Sequence, residues 1–274
     1  MNYIMKKSEE YQDLFSNNSL RSENPARFWQ EVFYLVFMQN DKVVAPFIEK
    51  TAIPESKKHI SRSPNKLPVH LCFRRLECKY PLLPFSVHVF AHKKEELKNL
   101  TVQITTFLEL KEGIYMLMAT IDEFGPMLEV FPPHFWNRYI QRVKQNSLRS
   151  PNFSAFDKEK LSLKETEEVV GYFVGRNWFW YTGRVPSLMS TKTQNTIHEK
   201  DHVTIFIDGF SWDDVYTCKD EDNSTVIIHK SYCTWSNLKN DQHVEEYKYK
   251  QIMLNMLIEK GYGHCLPDII TWMS

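Results

Sequence analysis

The sequence predicts an α+β protein in which mostly antiparallel sheets are flanked by helices, in two helix–strands–helix halves. Three observations predict it. Strand-like runs at 69–77, 85–92, 100–110 and 114–121 follow one another through connections too short for helical crossovers. Helical patterns stand before and after that group. The same order returns beyond a polar linker at 146–154.

The elements follow in order. Residues 1–23 form a polar N-terminal segment. Asn24 then offers an N-cap and Pro25 a first helical residue for PARFWQEVFYLVFMQ, which is apolar almost all round and so deeply packed. Residues 50–67 read as a polar connector, in which Lys57, Lys58, His59, Arg62 and Lys66 give the densest positive charge in the chain. A solvated loop explains that charge, and a phosphate-backbone contact is the alternative. In the second strand Val87, Val89 and Ala91 alternate with His88, Phe90 and His92, giving one buried and one wetter face. LKEG at 110–113 turns one strand into the next, and MLEVF at 127–131 leads into a helix opened by a proline pair. These elements make a first region of 24–145.

The second region spans 155–274. Ser162 and Glu165 have capping-box spacing at the head of a helix whose apolar side is Val169, Val170, Phe173 and Val174. Strands are expected at 202–209, 213–220 and 224–233, with DEDN at 220–223 turning the last two into a hairpin. A helix at 244–261 ends at Gly261. The two regions can also pack as one domain.

Totals narrow the function. With 34 basic and 34 acidic side chains, nothing pulls the whole molecule toward nucleic acid or an anionic membrane. Only 8 glycines are present, which argues against a glycine-rich phosphate loop. Five scattered cysteines, with no CxxC, fit a reduced cytoplasmic protein better than a disulfide scaffold. No run reaches the ~20 apolar residues of a membrane helix. No cofactor is expected. Cys218, His229 and Cys233, with His264 and Cys265, lack tight zinc-site spacing, so no metal is expected either. Trp178, Phe179, Trp180 and Tyr181 between Arg176 and Arg184 suit a core or an interface, and base stacking is the alternative.

The stretch PPHFWNRYIQR carries the candidate chemistry. At 100° per residue, Phe135, Trp136, Tyr139, Ile140 and Val143 fall on one side of a helix, and His134, Asn137, Arg138, Gln141 and Arg142 on the other. Packing alone explains that division. The chemical reading adds that His134 sits in the first turn, where the helix dipole disfavours its protonated form. A neutral imidazole could take a 2′-hydroxyl proton while Arg138 and Arg142 steady the developing phosphorane charge.

The stretch resembles the HAxxRxxxR helix of small bacterial and phage toxin ribonucleases of the barnase–EndoU–colicin–RelE group, with Phe135 in place of the small residue. In that group the helix precedes an antiparallel sheet bearing further catalytic polar residues. The resemblance covers residues 133–240 and implies such roles for His229 and Thr234, at the end of the last strand with Lys230, Ser231 and Tyr232. The long segment 146–200 departs from the pattern. The chain also resembles uncharacterised proteins of gut-bacterial mobile elements, a likeness that implies no activity. The favoured expectation is a soluble, non-catalytic interaction or structural protein with an unidentified protein partner. The alternative is an RNA-binding or metal-independent RNA-cleaving protein using His134, Arg138, Arg142, His229 and Thr234. The sequence carries no signal for the oligomeric state.

Overall fold

The computed structural model describes residues 18–33, 44–62, 69–75, 85–91, 100–122, 125–143, 153, 156, 160–177, 181–184, 202–217, 225–237, 243–259 and 263. Lys66, His92, Trp178, Phe179, Trp180, Cys218, His264, Cys265 and the turn expected at 220–223 lie outside the described residues. The fold is α+β, with helices and a mostly antiparallel sheet. It divides into two compact units. One draws on Met1–Leu110, Tyr115–Val130 and Tyr216–Ile227, the other on Lys111–Ile114, Phe131–Val215 and Ile228–Ser274.

The first unit opens with helices α1 (Asn18–Glu23) and α2 (Pro25–Phe33). Asn24 caps α2 as its residue type predicts: its Oδ1 accepts the Arg27 amide at 3.1 Å. Phe28, Trp29, Val32 and Phe33 bury one side of α2, and the Trp29 ring lies 5.2 Å from that of Tyr115. Helix α3 (Val44–Phe47) runs through a π-helical turn (Ile48–Ala52) into α4 (Ile53–Arg62). In that turn the Ile53 amide donates to the Ile48 carbonyl, one residue further back than in an α-helix. Pro54 gives the reason, since it has no amide to continue the ladder and its ring needs room beside the preceding turn.

Most of the segment expected as a polar connector at 50–67 is therefore helical through Arg62. Its buried stripe is Ala52, Ser56 and Ile60, four residues apart. A serine and an alanine on that stripe hide the helical period from a count of large apolar residues.

Strands β1 (Val69–Arg75), β2 (Phe85–Ala91), β3 (Thr101–Leu110), β4 (Gly113–Asp122) and β5 (Gly125–Phe131) follow, adjacent in that order. β1 with β2 and β2 with β3 are antiparallel. Val87 and Val89 are buried while His88 and Phe90 are half-buried, so the alternation read in β2 holds there. Tyr115 to Thr120 are buried without a break, so both faces of β4 are covered.

The second unit holds α5 (Pro133–Arg142) packed on α6 (Leu163–Arg176), with β6 (Tyr181–Arg184), β7 (His202–Phe206) and most of β8 (Gly209–Thr217) and β9 (Thr225–Cys233), strands whose order is β9-β8-β7-β6. A short 3-10 turn (Trp235–Asn237) and helix α7 (His243–Glu259) complete it. The capping box forms: the Glu165 amide donates to Ser162 Oγ at 3.3 Å, and the Ser162 amide to Glu165 Oε2 at 2.8 Å.

The expected strands 202–209 and 213–220 are revised. β7 ends at Phe206, and a tight turn at Ile207–Asp208 starts β8 at Gly209, with Ile205 opposite Phe210. Ser211 and Trp212, outside the expected strands, belong to β8, and Ser211 and Asp213 are buried on one face of it.

The core of this unit is aromatic. Phe131, Phe135, Trp136, Tyr139, Phe173, Phe206 and Tyr232 are all buried. Phe173 meets Tyr139 edge-on at 5.0 Å and Phe206 at 4.9 Å, and Phe135 at 5.7 Å. The apolar side projected for α5 is the side that enters this core.

Candidate functional site

The five residues singled out in the sequence meet different fates. His134 and Arg138 are on the exposed side of α5, one turn apart. The Arg138 guanidinium donates from Nη1 to Gln141 Oε1 at 3.1 Å. Packing around the His134 ring and then the Arg138 charge push the imidazole below its usual pKa. The direction agrees with the helix-dipole argument, but the causes are burial and a neighbouring cation.

Arg142 turns inward. Its Nη1 donates to the Tyr232 carbonyl and, at 3.0 Å, to Cys233 Sγ. It therefore ties the end of α5 to the end of β9. Burial raises the Cys233 thiol pKa, against the opposing pull of Arg142. Thr234 serves the local turn: its amide donates to Asn237 Oδ1 at 3.1 Å and its hydroxyl to the same atom at 2.9 Å.

His229 is wholly buried, with its ring stacked on Phe131 at 4.0 Å. Nδ1 stands 3.0 Å from both Ser211 Oγ and Asp213 Oδ1. Asp213 also accepts the Ser211 hydroxyl at Oδ1 and the Thr204 hydroxyl at Oδ2, each at 2.6 Å. Ser, His and Asp thus meet in one cluster, but not as a nucleophilic relay. A relay needs the hydroxyl and the carboxylate on opposite ring nitrogens and an open path for substrate. Here both bond the same nitrogen, and Ser211, Asp213 and His229 are all buried. The arrangement spreads one buried carboxylate charge over several donors.

A second network lies at the β7–β8 turn. Asp208 receives the Tyr232 hydroxyl at Oδ1 (2.8 Å), and Arg176 Nε at Oδ2 (3.1 Å), with the Tyr139 hydroxyl also at Oδ2 (3.4 Å). The Asp208 amide donates to Asn177 Oδ1 at 3.2 Å. Burial first, and then the Asp208 charge, push both tyrosines well above the ordinary phenol pKa, so they remain donors. Gly209 permits this approach, because a Cβ there would meet the Cys233 carbonyl and the Tyr232 ring.

The sequence reading missed Ser211, Asp213, Asp208, Arg176 and Tyr139 as members of polar clusters. The available signal was the two-residue alternation of Ser211 and Asp213 beside the apolar Phe210. Among the described residues, no helix is long and apolar enough to cross a membrane. No protein-family model, no curated protein and no solved structure matches the chain.

Proposed function

We propose that the protein is a cytoplasmic, non-catalytic interaction protein that meets a protein partner through the outer side of α7. One observation carries this reading. Among the described residues, the exposed large hydrophobic side chains are Tyr247 (72%), Ile252 (40%) and Ile258 (52%), and all three belong to α7. The inner side of the same helix is held by the buried Met253 and Leu257. A helix with only water outside is polar on that side, whereas the outer side of α7 sets these three apolar side chains among the exposed Gln251, Asn255 and Glu259. Eleven residues separate Tyr247 from Ile258, which brings them within about 20° of one another around the helix. Beside them Gln251 Nε2 donates to Asn255 Oδ1 at 3.0 Å. Such a face suits a partner with apolar side chains around a hydrogen-bonding centre. The exposed thiol of Cys72 suits a reducing compartment.

The burial of His229 and the inward bonds of Arg142 weigh against RNA cleavage. A photo-crosslinking residue at position 258, in cells, tests the interaction. A discrete adduct is expected, and it should disappear with Tyr247→Glu but not with a control change at the exposed Lys164. No adduct, or one indifferent to Tyr247→Glu, overturns the assignment to α7. Labelled RNA and DNA should remain intact with the wild-type protein. Cleavage lost in His134→Ala would replace the non-catalytic reading with the nuclease one.

A further inference from the structure

The outer side of α4 and its π-helical approach is cationic. Lys50, Lys57, Lys58 and Arg62 are exposed there, against the carboxylates of Glu49 and Glu55. Among the described residues, none of these four cations is engaged in an ion pair. Ala52, Ser56 and Ile60 anchor the inner side. Lys58 and Arg62, one turn apart, point away from that stripe, and Lys57 flanks them. A favourable helix dipole accounts for Arg62 in the last turn, but not for Lys50 or Lys57. With total charge balanced at 34 against 34, this face is a local departure from neutrality.

We infer that this face binds the phosphate backbone of a nucleic acid without reading its sequence. Twelve residues from Lys50 to Arg62 span about 18 Å, the rise of about five phosphates on one strand of a duplex. What the face lacks decides between an acidic protein and a nucleic acid. A protein interface needs a desolvated apolar centre, and the exposed large hydrophobic side chains among the described residues are all on α7. Phosphate contacts need only cations, and here the four basic side chains supply them, since the Ser61 hydroxyl donates to the Lys58 carbonyl at 2.9 Å. The inference goes beyond the α7 contact and does not depend on it.

The test is fluorescence anisotropy of the full chain with a labelled single-stranded RNA and a duplex DNA, across a salt series. Wild type should bind both, with log affinity falling linearly in log salt at a slope of about −3 for the duplex. The triple variants K57E/K58E/R62E and K57Q/K58Q/R62Q should bind at least about tenfold more weakly. Both should keep the wild-type circular dichroism, with melting lowered only slightly by the loss of Arg62 from the last helical turn, because these side chains are exposed and unpaired. His134→Ala should bind like wild type. No binding, equal binding by wild type and the triple variants, or no salt dependence overturns the inference. Preference for a polyglutamate peptide over both nucleic acids also overturns it, in favour of an acidic protein. Cleavage of the RNA would sink the non-catalytic reading and leave backbone binding at α4 to be judged by the triple variants.

Discussion

The Tyr232 hydroxyl lies 2.8 Å from both the main-chain carbonyl and the Oδ1 of Asp208, the residue just before Gly209. A strand-end tyrosine and a two-residue turn are thereby fastened together in the core. The contact requires a glycine next door. In Gly209→Ala the new methyl would press on the Cys233 carbonyl and the Tyr232 ring, neither of which is a flexible chain end. The variant should lose about 1–3 kcal/mol by overpacking. Tyr232→Phe keeps the ring and removes the donor, and should cost about 1–3 kcal/mol. Urea unfolding measures both. Wild-type stability in either would show that this turn is not fastened as described.

The same network predicts an alkaline limit. Tyr139 and Tyr232 ionise above the ordinary phenol value of 10.0 in the folded state, chiefly through burial and then through Asp208. The unfolded chain therefore loses these protons first. Stability is fully present below about pH 10 and declines as pH rises further. In an absorbance titration of the phenolates, Tyr139 and Tyr232 should appear only with unfolding. Tyr139→Phe should leave one fewer late phenol than the wild type. A smooth titration of all tyrosines while the near-ultraviolet dichroism stays native would contradict the burial of this pair.

What the sequence made legible was local. The Asn24 cap, the Ser162–Glu165 box and the apolar side of α5 each depend on residues within a turn or two, where periodicity and side-chain reach suffice. What it hid was long-range. Arg142 looks like a solvent-facing arginine until the end of β9, some ninety positions away, supplies the Tyr232 carbonyl. His229 reads as a catalytic candidate beside Lys230 and Ser231 until Ser211 and Asp213 come across from β8 and share its Nδ1 in the core. A polar residue on a strand reads as solvent-facing unless its partner is known, so polar strands were the least legible part.

The Asp213 cluster predicts a difference between charge and shape. Asp213→Asn keeps the volume but turns one acceptor into a donor facing groups that already donate. Asp213→Ala leaves Thr204, Ser211 and His229 without their common acceptor. Each should cost about 1–3 kcal/mol, with the alanine variant also leaving a cavity. The proton shifts of the His229 ring should move in both variants, because Nδ1 loses its carboxylate. Unchanged shifts, or neutral stability in both, would mean that the carboxylate does not hold this ring.

His134 carries the last prediction, because its effect on stability has a definite sign. Packing and Arg138 hold its folded pKa below 6.5, so the unfolded chain takes up the proton first as pH falls. Its share of stability is present above about pH 6.5 and is lost as pH drops through the lower folded value. His134→Gln removes that titration. Between about pH 8 and pH 5 the urea midpoint of the wild type should fall further than that of the variant. Arg138→Ala should give part of the same relief, since the guanidinium is the second cause of the shift. Because His134 is exposed, both effects should be small beside those at Gly209 and Asp213. Parallel midpoints for wild type and His134→Gln across that range would place the imidazole in ordinary solvent and remove the last feature that set PPHFWNRYIQR apart from a packing helix.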